Sequence, residues 1–398
     1  MYYIKIKVQD NIYYVGVNDR KTCLFENMWP LEHGISYNSF LVTGEKNILL
    51  DPVHGNNYKM YIDKIKAVVG YAPIDYLVVN HMEPDHSSSI TMLMREYPEM
   101  KLIGNAKTKE FLEAFYKLKL TDNFIEIKDG DTLKLGNNEF SFHTTPMVHW
   151  PESMVTYHKN TGTLFSQDAF GGFGALDGAI FDDEVPWENR EYETRRYFSN
   201  IVGKFASQIL RAIDKVSTLD IKMICPDHGV VWRKEPSTII DCYKKWSSFE
   251  TEKGVVVAYG SMYGNTEKMA DCIANTLAKE GVKTIKVFDV SKTDVSYILT
   301  DIWLYKGLIL GSCSYNNALY PPMKKLYHVL EINKIKNHVL GIFGTYGWSG
   351  GGVKSLVKLA EENKNYDFIQ ETVDVKCSPN DEDLEKCRVL AKEVIKRM

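Results

Sequence analysis

The first half of the chain is organised around the stretch Ile74-Asp-Tyr-Leu-Val-Val-Asn-His-Met-Glu-Pro-Asp-His86. Its apolar beginning predicts a buried strand, and its polar end lies where that strand stops. Four potential metal ligands follow within six residues, namely His81, Glu83, Asp85 and His86. A solvated polar loop is the alternative interpretation. The apolar strand before the loop and the helix-like segment after it favour a rigid metal-binding loop.

Three more candidate ligands stand in similar positions. His149 follows a short strand at 141–145, Asp168 follows the apolar turn at 163–167, and His228 lies in Cys-Pro-Asp-His-Gly. The whole set comprises four histidines and three carboxylates, which is enough for two metal ions with a bridging carboxylate. Carboxylates combined with imidazoles suit iron or manganese better than zinc, although zinc stays open.

The order of predicted elements indicates two domains. The first half contains short strands broken by Gly, Asn and Asp, including 2–8, 12–17, 39–42 and 47–50, and longer helical segments near 192–214 and 237–249. From Gly254 onward, strands at 255–259, 283–287, 307–310, 339–343 and 368–373 alternate with helical stretches. Such β-then-α units predict a parallel sheet that is covered on both faces. We therefore place one domain at 1–250 and the second at 254–398.

Composition narrows the class of protein. The 398 residues are 44% hydrophobic and 25% charged, with a net charge of −4 and no long basic run, so nucleic acid is not expected as a partner. No signal peptide or stretch of roughly 20 apolar residues is visible. The seven cysteines form no Cys-x-x-Cys pair, which is typical of reduced thiols. We expect a soluble cytoplasmic protein without a membrane partner.

Three loops of the second half indicate a phosphate-containing ligand. Residues 260–266, Gly-Ser-Met-Tyr-Gly-Asn-Thr, connect a strand to a helix start, where backbone N–H groups favour anions. A simple N-capping turn would explain this loop alone equally well. However, a loop at 311–317 and a Gly-rich loop at 344–352 end two further strands near the switch point of the predicted sheet. Tyr346 and Trp348, with their glycine neighbours, suit a flat ring.

In combination, these motifs resemble a known family. Hydrolytic members of the metallo-β-lactamase superfamily carry His-x-His-x-Asp-His, whereas Glu83 gives this chain His-x-Glu-x-Asp-His. That replacement, with the distant His149, Asp168 and His228, is similar to the flavodiiron proteins, also called A-type flavoproteins. The three later loops resemble flavodoxin. The resemblance covers essentially the whole chain.

The resemblance implies a fold and a set of ligands. We expect an N-terminal α+β metallo-β-lactamase-like αββα sandwich and a C-terminal α/β flavodoxin-like doubly wound parallel sheet. One iron would be bound by His81, Glu83 and His149 and the other by Asp85, His86 and His228, with Asp168 as the bridge. FMN would be bound by Ser261, Met262, Tyr263, Gly264, Asn265, Thr266, Ser312, Ser314, Tyr315, Asn316, Thr345, Tyr346, Gly347, Trp348 and Gly350.

It also implies a reaction and partners. Reduced FMN would feed a di-iron centre that reduces O2 to water, NO to N2O, or both. Without a Cys-x-x-Cys rubredoxin module, the electron donor is expected to be separate: a rubredoxin, a flavin reductase or F420H2. A head-to-tail homodimer, or a tetramer, would bring FMN and iron together. Two alternatives remain, a zinc hydrolase fused to a flavodoxin-like module and a plain electron carrier.

The remaining candidates have ordinary interpretations. Met147, Trp150 and Met154 would line an apolar pocket for the gas or simply belong to the core. Six histidines match no ligand position and are expected to be structural or at the surface: His33, His54, His143, His158, His328 and His338.

Overall fold

The computed structural model of the chain describes residues 3–362 and 364–398. Met1 and Tyr2 lie outside them, so the start of the first predicted strand is not described. The chain divides into two compact units, Met1–Lys244 and Lys245–Met398. The domain bounds 1–250 and 254–398 stay predictions.

The first unit contains two mixed sheets and two short antiparallel strand pairs. Its strands are β1 (Ile6–Gln9), β2 (Ile12–Tyr14), β3 (Val17–Asp19), β4 (Leu24–Phe25), β5 (Trp29–Pro30), β6 (Ile35–Tyr37), β7 (Phe40–Val42), β8 (Ile48–Leu50), β9 (Tyr76–Val78), β10 (Lys101–Gly104), β11 (Phe124–Glu126), β12 (Thr132–Leu135), β13 (Asn138–Thr144), β14 (Met154–His158), β15 (Thr163–Gln167) and β16 (Met223–Pro226). One sheet has the order β1-β2-β7-β8-β9-β10-β11, and the other has the order β12-β13-β14-β15-β16.

The helices of this region lie between these strands in the chain or follow the last of them. They are α1 (Tyr58–Val69), α2 (Pro84–Ser87), α3 (Ile90–Glu96), α4 (Ala106–Tyr116), α5 (Glu191–Tyr197), α6 (Ala206–Val216) and α7 (Pro236–Ser247). The two sheets pack face to face, since Phe40 of β7 and Phe165 of β15 are fully buried with ring centroids 5.5 Å apart. The predicted metallo-β-lactamase-like sandwich is confirmed.

One helical prediction differs from the structure. The segment 192–214 is interrupted between α5 and α6 by a π-helical turn at Phe198–Val202 and a 3₁₀ turn at Gly203–Phe205. Wide turns of this kind bend a helix, and a Gly at the junction facilitates the bend. The bend lets Phe198, Ile201 and Val202 all be buried.

The second unit is a parallel sheet with helices between its strands. Its elements are β17 (Glu252–Gly260), α8 (Asn265–Lys279), β18 (Ile285–Asp289), α9 (Val295–Leu304), β19 (Tyr305–Tyr315), β20 (Ala318–Leu319), α10 (Pro321–Asn333), β21 (His338–Tyr346), α11 (Gly352–Glu362), β22 (Tyr366–Phe368), β23 (Val373–Lys376) and α12 (Asp381–Arg397). The order β18-β17-β19-β21-β22, with β23 also on β21, is flavodoxin-like and confirms the prediction.

The last predicted strand, 368–373, is divided into β22 and β23. Both strands pair with β21, and the chain leaves the sheet between them, where Thr372 N–H donates to the Gln370 carbonyl at 3.0 Å. Among the described residues, no helix has the length and apolarity that a membrane span requires.

Candidate functional site

Seven side chains from four separate segments converge at one edge of the sandwich. His81 and Glu83 follow β9, Asp85 and His86 lie on α2, and His149 lies in the loop after β13. Asp168 directly follows β15, and His228 lies just beyond β16. Six of the seven are buried and Asp85 is half-buried. The structure therefore brings together all seven residues that the sequence singled out.

The seven residues form two groups that share Asp168. In the first group, His149 Nε2 lies 3.0 Å from Glu83 Oε2 and 2.9 Å from Asp168 Oδ2, and His81 Nε2 lies 3.3 Å from both oxygens. In the second group, His86 Nε2 and His228 Nε2 lie 3.2 and 3.4 Å from Asp168 Oδ1.

Asp85 completes the second group. Its Oδ2 lies 3.3 Å from the Nε2 atoms of both His86 and His228. The carboxylate of Asp168 thus points one oxygen at each group, which is the geometry of a bridging ligand.

The donor atoms suit metal ions better than one another. His86 Nε2 and His228 Nε2 are only 2.9 Å apart, and the two ring nitrogens face the same point. Both oxygens of Asp85 and Oδ1 of Asp168 are buried without a hydrogen-bond partner among the described residues. Buried polar atoms normally have partners, so these orphaned atoms indicate bound cations. Imidazoles with carboxylates are the ligand set that iron accepts.

A second layer of contacts aims the imidazoles inward. His228 Nδ1 donates to the Ser36 carbonyl at 2.7 Å, which leaves its Nε2 lone pair free for a metal. His81 Nδ1 lies 2.9 Å from Glu152 Oε1, which also accepts from the Met82 N–H at 2.9 Å. His86 Nδ1 faces Asp227 Oδ2 at 3.6 Å.

Sequence reasoning missed the two acidic residues of this layer. Asp227 directly precedes the candidate ligand His228, a position that a systematic search around each ligand would have examined. Nothing in the sequence distinguishes Glu152, because its contact with His81 spans 71 positions of the chain.

Mutual contacts outweigh burial at His149 and Asp168, whereas burial dominates at Asp85, whose pKa it raises to about 7, and at His228, whose pKa it lowers. Burial works to lower the pKa of His149, but hydrogen bonds with Asp168 and Glu83 raise it to about 9. Burial also opposes charge on Asp168, yet the nearby His81 holds the pKa of this carboxyl well below its ordinary value. In the absence of metal, the proton on His149 thus balances negative charge on Asp168 and Glu83. A metal cation supplies the same charge, so its binding displaces protons.

A polar cavity of about 610 Å³ opens onto the metal cluster. Glu83 and Asp85 lie at its floor, and Glu26, Tyr37 and His54 line its sides. The ring of Tyr37 stacks on His54, with centroids 5.8 Å apart, and meets the rings of His86 and His228 edge-on. From the sequence, His54 was expected to be structural or at the surface, and neither Glu26 nor Tyr37 was identified as a candidate.

The predicted apolar residues near His149 have different surroundings. The ring of Trp150 meets the imidazole of His81 edge-on, with centroids 5.5 Å apart. Met154 is fully buried in the core as the first residue of β14.

The second unit contains a separate cavity of about 440 Å³ at the carboxyl ends of β17, β19 and β21. Twelve of the fifteen predicted FMN residues line it: Ser261, Met262, Tyr263, Asn265, Thr266, Ser314, Tyr315, Asn316, Thr345, Tyr346, Gly347 and Trp348. Cys313 and Cys377 line it as well and were not predicted.

The other three predicted FMN residues do not line this cavity. Ser312 is fully buried, and its hydroxyl donates to the Cys313 carbonyl at 2.8 Å, so it faces inward. Gly264 has a φ of +86°, which favours glycine, and its N–H donates to Ser261 Oγ at 3.0 Å. Gly350 belongs to the Gly-rich turn before α11 without lining the cavity.

The chemistry of this cavity fits FMN. The N-terminus of the 15-residue helix α8 and the hydroxyls of Ser261 and Thr266 form the polar end, which suits a phosphate. Tyr263 and Trp348 also line the cavity and are 91% and 79% exposed. Large exposed aromatic side chains beside a cavity suit a flat apolar ring that covers them.

Known proteins share both units. Residues 35–229 match the ODP family of beta lactamases, and residues 257–389 match flavodoxin. The anaerobic nitric oxide reductase flavorubredoxin of Escherichia coli O1:K1 / APEC is 32% identical over 400 residues, which cover 99% of this chain and 82% of that protein.

Two solved structures resemble the whole chain. Rubredoxin oxygen:oxidoreductase from Desulfovibrio gigas is 29% identical with a TM-score of 0.95, over 99% of this chain and 98% of that one. The flavodiiron protein from Giardia intestinalis is 26% identical with a TM-score of 0.95, over 100% and 97% of the two chains.

Proposed function

Because this chain belongs to the flavodiiron proteins, we propose that it reduces a diatomic gas: O2 to water, NO to N2O, or both. It is an oxidoreductase with FMN and a di-iron centre. The observation that carries the proposal is the position of Asp168, whose two oxygens face two separate groups of ligand atoms.

The proposed ligands follow from these two groups. His81, Glu83 and His149 would hold one iron, Asp85, His86 and His228 would hold the other, and Asp168, which faces both groups, would be shared. When bound, the iron pair supplies two adjacent redox centres with positions where the gas can bind. The protein supplies the geometry: Ser36 and Glu152 orient His228 and His81, and burial shields the imidazoles of these two histidines from bulk water.

In this proposal, water and protons reach the metal site through the polar cavity. Reduction of either gas consumes protons, and the polar cavity above Glu83 and Asp85 connects the cluster with solvent. Protons therefore reach the ligand carboxylates without crossing the apolar core.

The loops of the second unit are the proposed FMN-binding elements. Ser261 and Thr266 hold the phosphate together with the start of α8, and Tyr346 and Trp348 flank the flavin ring. FMN, when bound, accepts electrons in pairs and releases them singly, which suits a metal pair. Ser314 fixes the third loop, because its Oγ accepts from the N–H groups of Gly351 and Gly352 at 2.9 Å.

The proposal also concerns the electron donor and the choice of gas. One relative is named a nitric oxide reductase and a flavorubredoxin, and another is named a rubredoxin oxygen:oxidoreductase. Both names favour a rubredoxin over a flavin reductase or F420H2 as the donor. Both gases suit the same seven ligands, so we propose activity with each and compare the two rates directly.

We also propose a head-to-tail homodimer, alone or paired into a tetramer, that brings the FMN of one subunit to the iron pair of its partner. A complementation experiment tests it. Asp168→Ala subunits, which lack a metal bridge, are mixed with Thr266→Trp subunits, whose flavin cavity is blocked. Recovery of activity on subunit exchange supports the dimer, whereas two inactive variants that exchange subunits without recovery contradict it.

Gas consumption at an electrode tests the function itself. The purified protein is analysed for iron, zinc and FMN, reduced continuously, and supplied with O2 or NO in separate runs. The wild type is expected to consume at least one gas, while Asp168→Ala keeps its flavin and consumes neither faster than free FMN. A wild type that holds zinc, ignores both gases and hydrolyses lactones or esters would support the zinc hydrolase instead.

A further inference from the structure

Behind the metal cluster lies a second, much smaller cavity with an apolar wall. It lies between helix α6 and the second sheet, lined by Ile213 of α6, Val155 of β14 and Leu164 of β15. The centre of a water-sized sphere can occupy about 20 Å³ within it. Since roughly 10–15 Å³ by this measure holds one water, the cavity has room for one small molecule.

The wall makes water a poor occupant. Thr145 is the polar residue of its lining and offers a single buried hydroxyl, whereas a buried water requires two to four polar partners. Apolar cavities of this kind stay dry and take up apolar molecules such as xenon. O2 has no dipole moment and NO has a small one, so both gases prefer this environment to water.

The cavity also lies next to two of the proposed ligands. Val148, which immediately precedes His149, and Ala169, which immediately follows Asp168, form part of its wall. Gln167 ties the two loops together, because its amide donates to the Val148 carbonyl at 2.5 Å and accepts from the Asp168 N–H at 2.6 Å. The inner wall is therefore the same backbone that presents the two ligands.

On the side formed by α6, little protein separates the apolar cavity from solvent. Ala212 of α6 lines the cavity and is only half-buried, in contrast to Ile209 and Ile213 on the same helix. A small side chain at this position leaves little material between the cavity and the surface. The polar cavity above Glu83 shares no lining residue with this one.

We propose that this apolar cavity is a binding site for the diatomic gas on its way to the metal pair. The assignment rests on the proposed function, because the gas is the substrate of that reaction. Gas and protons then reach the cluster by separate routes: the gas passes Ala212 and then the wall formed by Val148 and Ala169, and protons pass through the polar cavity.

Xenon, an apolar atom, tests the site without any turnover. Crystals of the holoprotein are placed under xenon pressure, and one xenon is expected in the cavity of the wild type. Ala212→Leu fills the space and is expected to lose the xenon. Ser207→Leu, which adds the same side chain to the solvent face of α6, is the matched control and is expected to retain it.

Kinetics then connect the site with the reaction. With saturating donor, Ala212→Leu is expected to lower kcat/KM for the gas severalfold and to leave kcat at saturating gas unchanged, as for a lost access route. Ser207→Leu is expected to match the wild type. If Ala212→Leu does not fold, Val155→Ile, which adds one methylene to the buried wall, replaces it.

Two results would overturn the proposal: an absence of xenon from the wild-type cavity, or a filled cavity without loss of kcat/KM for either gas. A wild type that binds xenon but consumes neither gas would overturn the proposed function while supporting the apolar site, so the two failures are distinguishable.

Discussion

Replacement of Glu152 by Gln should weaken iron binding about tenfold without unfolding the protein. Glu152 Oε1 accepts from His81 Nδ1 and from the Met82 N–H, both at 2.9 Å, and its side chain is fully buried. Glutamine keeps the shape and one acceptor oxygen but removes the negative charge. Hydrogen bonds to charged groups contribute about 1.5–3 kcal/mol against about 0.5–1.5 for neutral ones. The contact to His81 therefore loses about 1.4 kcal/mol, a factor of about ten in affinity.

Anaerobic competition between the metal-free protein and a chelator measures this loss. Thermal unfolding of the same metal-free samples shows whether the fold is intact, and Glu139→Gln, an exposed carboxylate paired with Lys159, is the matched control. The control is expected to bind iron as the wild type does. If Glu152→Gln also bound iron with wild-type affinity, then the orienting role assigned to Glu152 would be refuted. The same would follow if the control lost as much affinity as Glu152→Gln.

Three further predictions concern other parts of the molecule. Burial lowers the pKa of His158 in the folded protein to about 4, from an ordinary value of about 6.5. As the pH falls from about 6.5 to about 4, the unfolded chain binds a proton that the folded protein does not bind, so the folded state loses stability. Over this pH range, the free energy of unfolding measured in urea should fall by about 2–3 kcal/mol more for the wild type than for His158→Gln. Parallel pH profiles of the two proteins would contradict this. Ser314→Ala removes the acceptor for the N–H groups of Gly351 and Gly352. Its FMN dissociation constant, measured by fluorescence titration, should rise roughly tenfold, and an unchanged constant would show that the loop is held by other contacts. Phe165→Ala leaves a void between the two sheets and should cost about 3–5 kcal/mol in the free energy of unfolding; a cost below about 1 kcal/mol would mean that the sheets close over the gap.

The architecture of the second unit was predictable because buried parallel strands are continuous apolar runs. The predicted strand 255–259 lies inside β17 for this reason. The end of β19 was not predictable, since it continues through polar residues to Tyr315 and pairs Ser312 with Gly344 of β21. Pairing with a neighbouring strand extended this element beyond its local pattern.

The metal ligands were predictable because each follows the end of a strand. The contacts that orient them were not, since Glu152 and Ser36 reach their histidines only after the sheets have assembled. Cavities have no local pattern either. The polar one is assembled from residues as distant in the chain as Glu26 and Asp85, and the apolar one from residues as distant as Thr145 and Val216.

Stopped-flow reoxidation tests directly whether FMN and the iron pair together reduce O2 or NO. The anaerobically reduced holoprotein is mixed with O2 or with NO while flavin absorbance and peroxide are followed. We expect reoxidation far faster than that of free FMN, with no peroxide from O2, and loss of this rate in Asp168→Ala. Flavin reoxidation no faster than that of free FMN with both gases, in protein loaded with two irons, would contradict it.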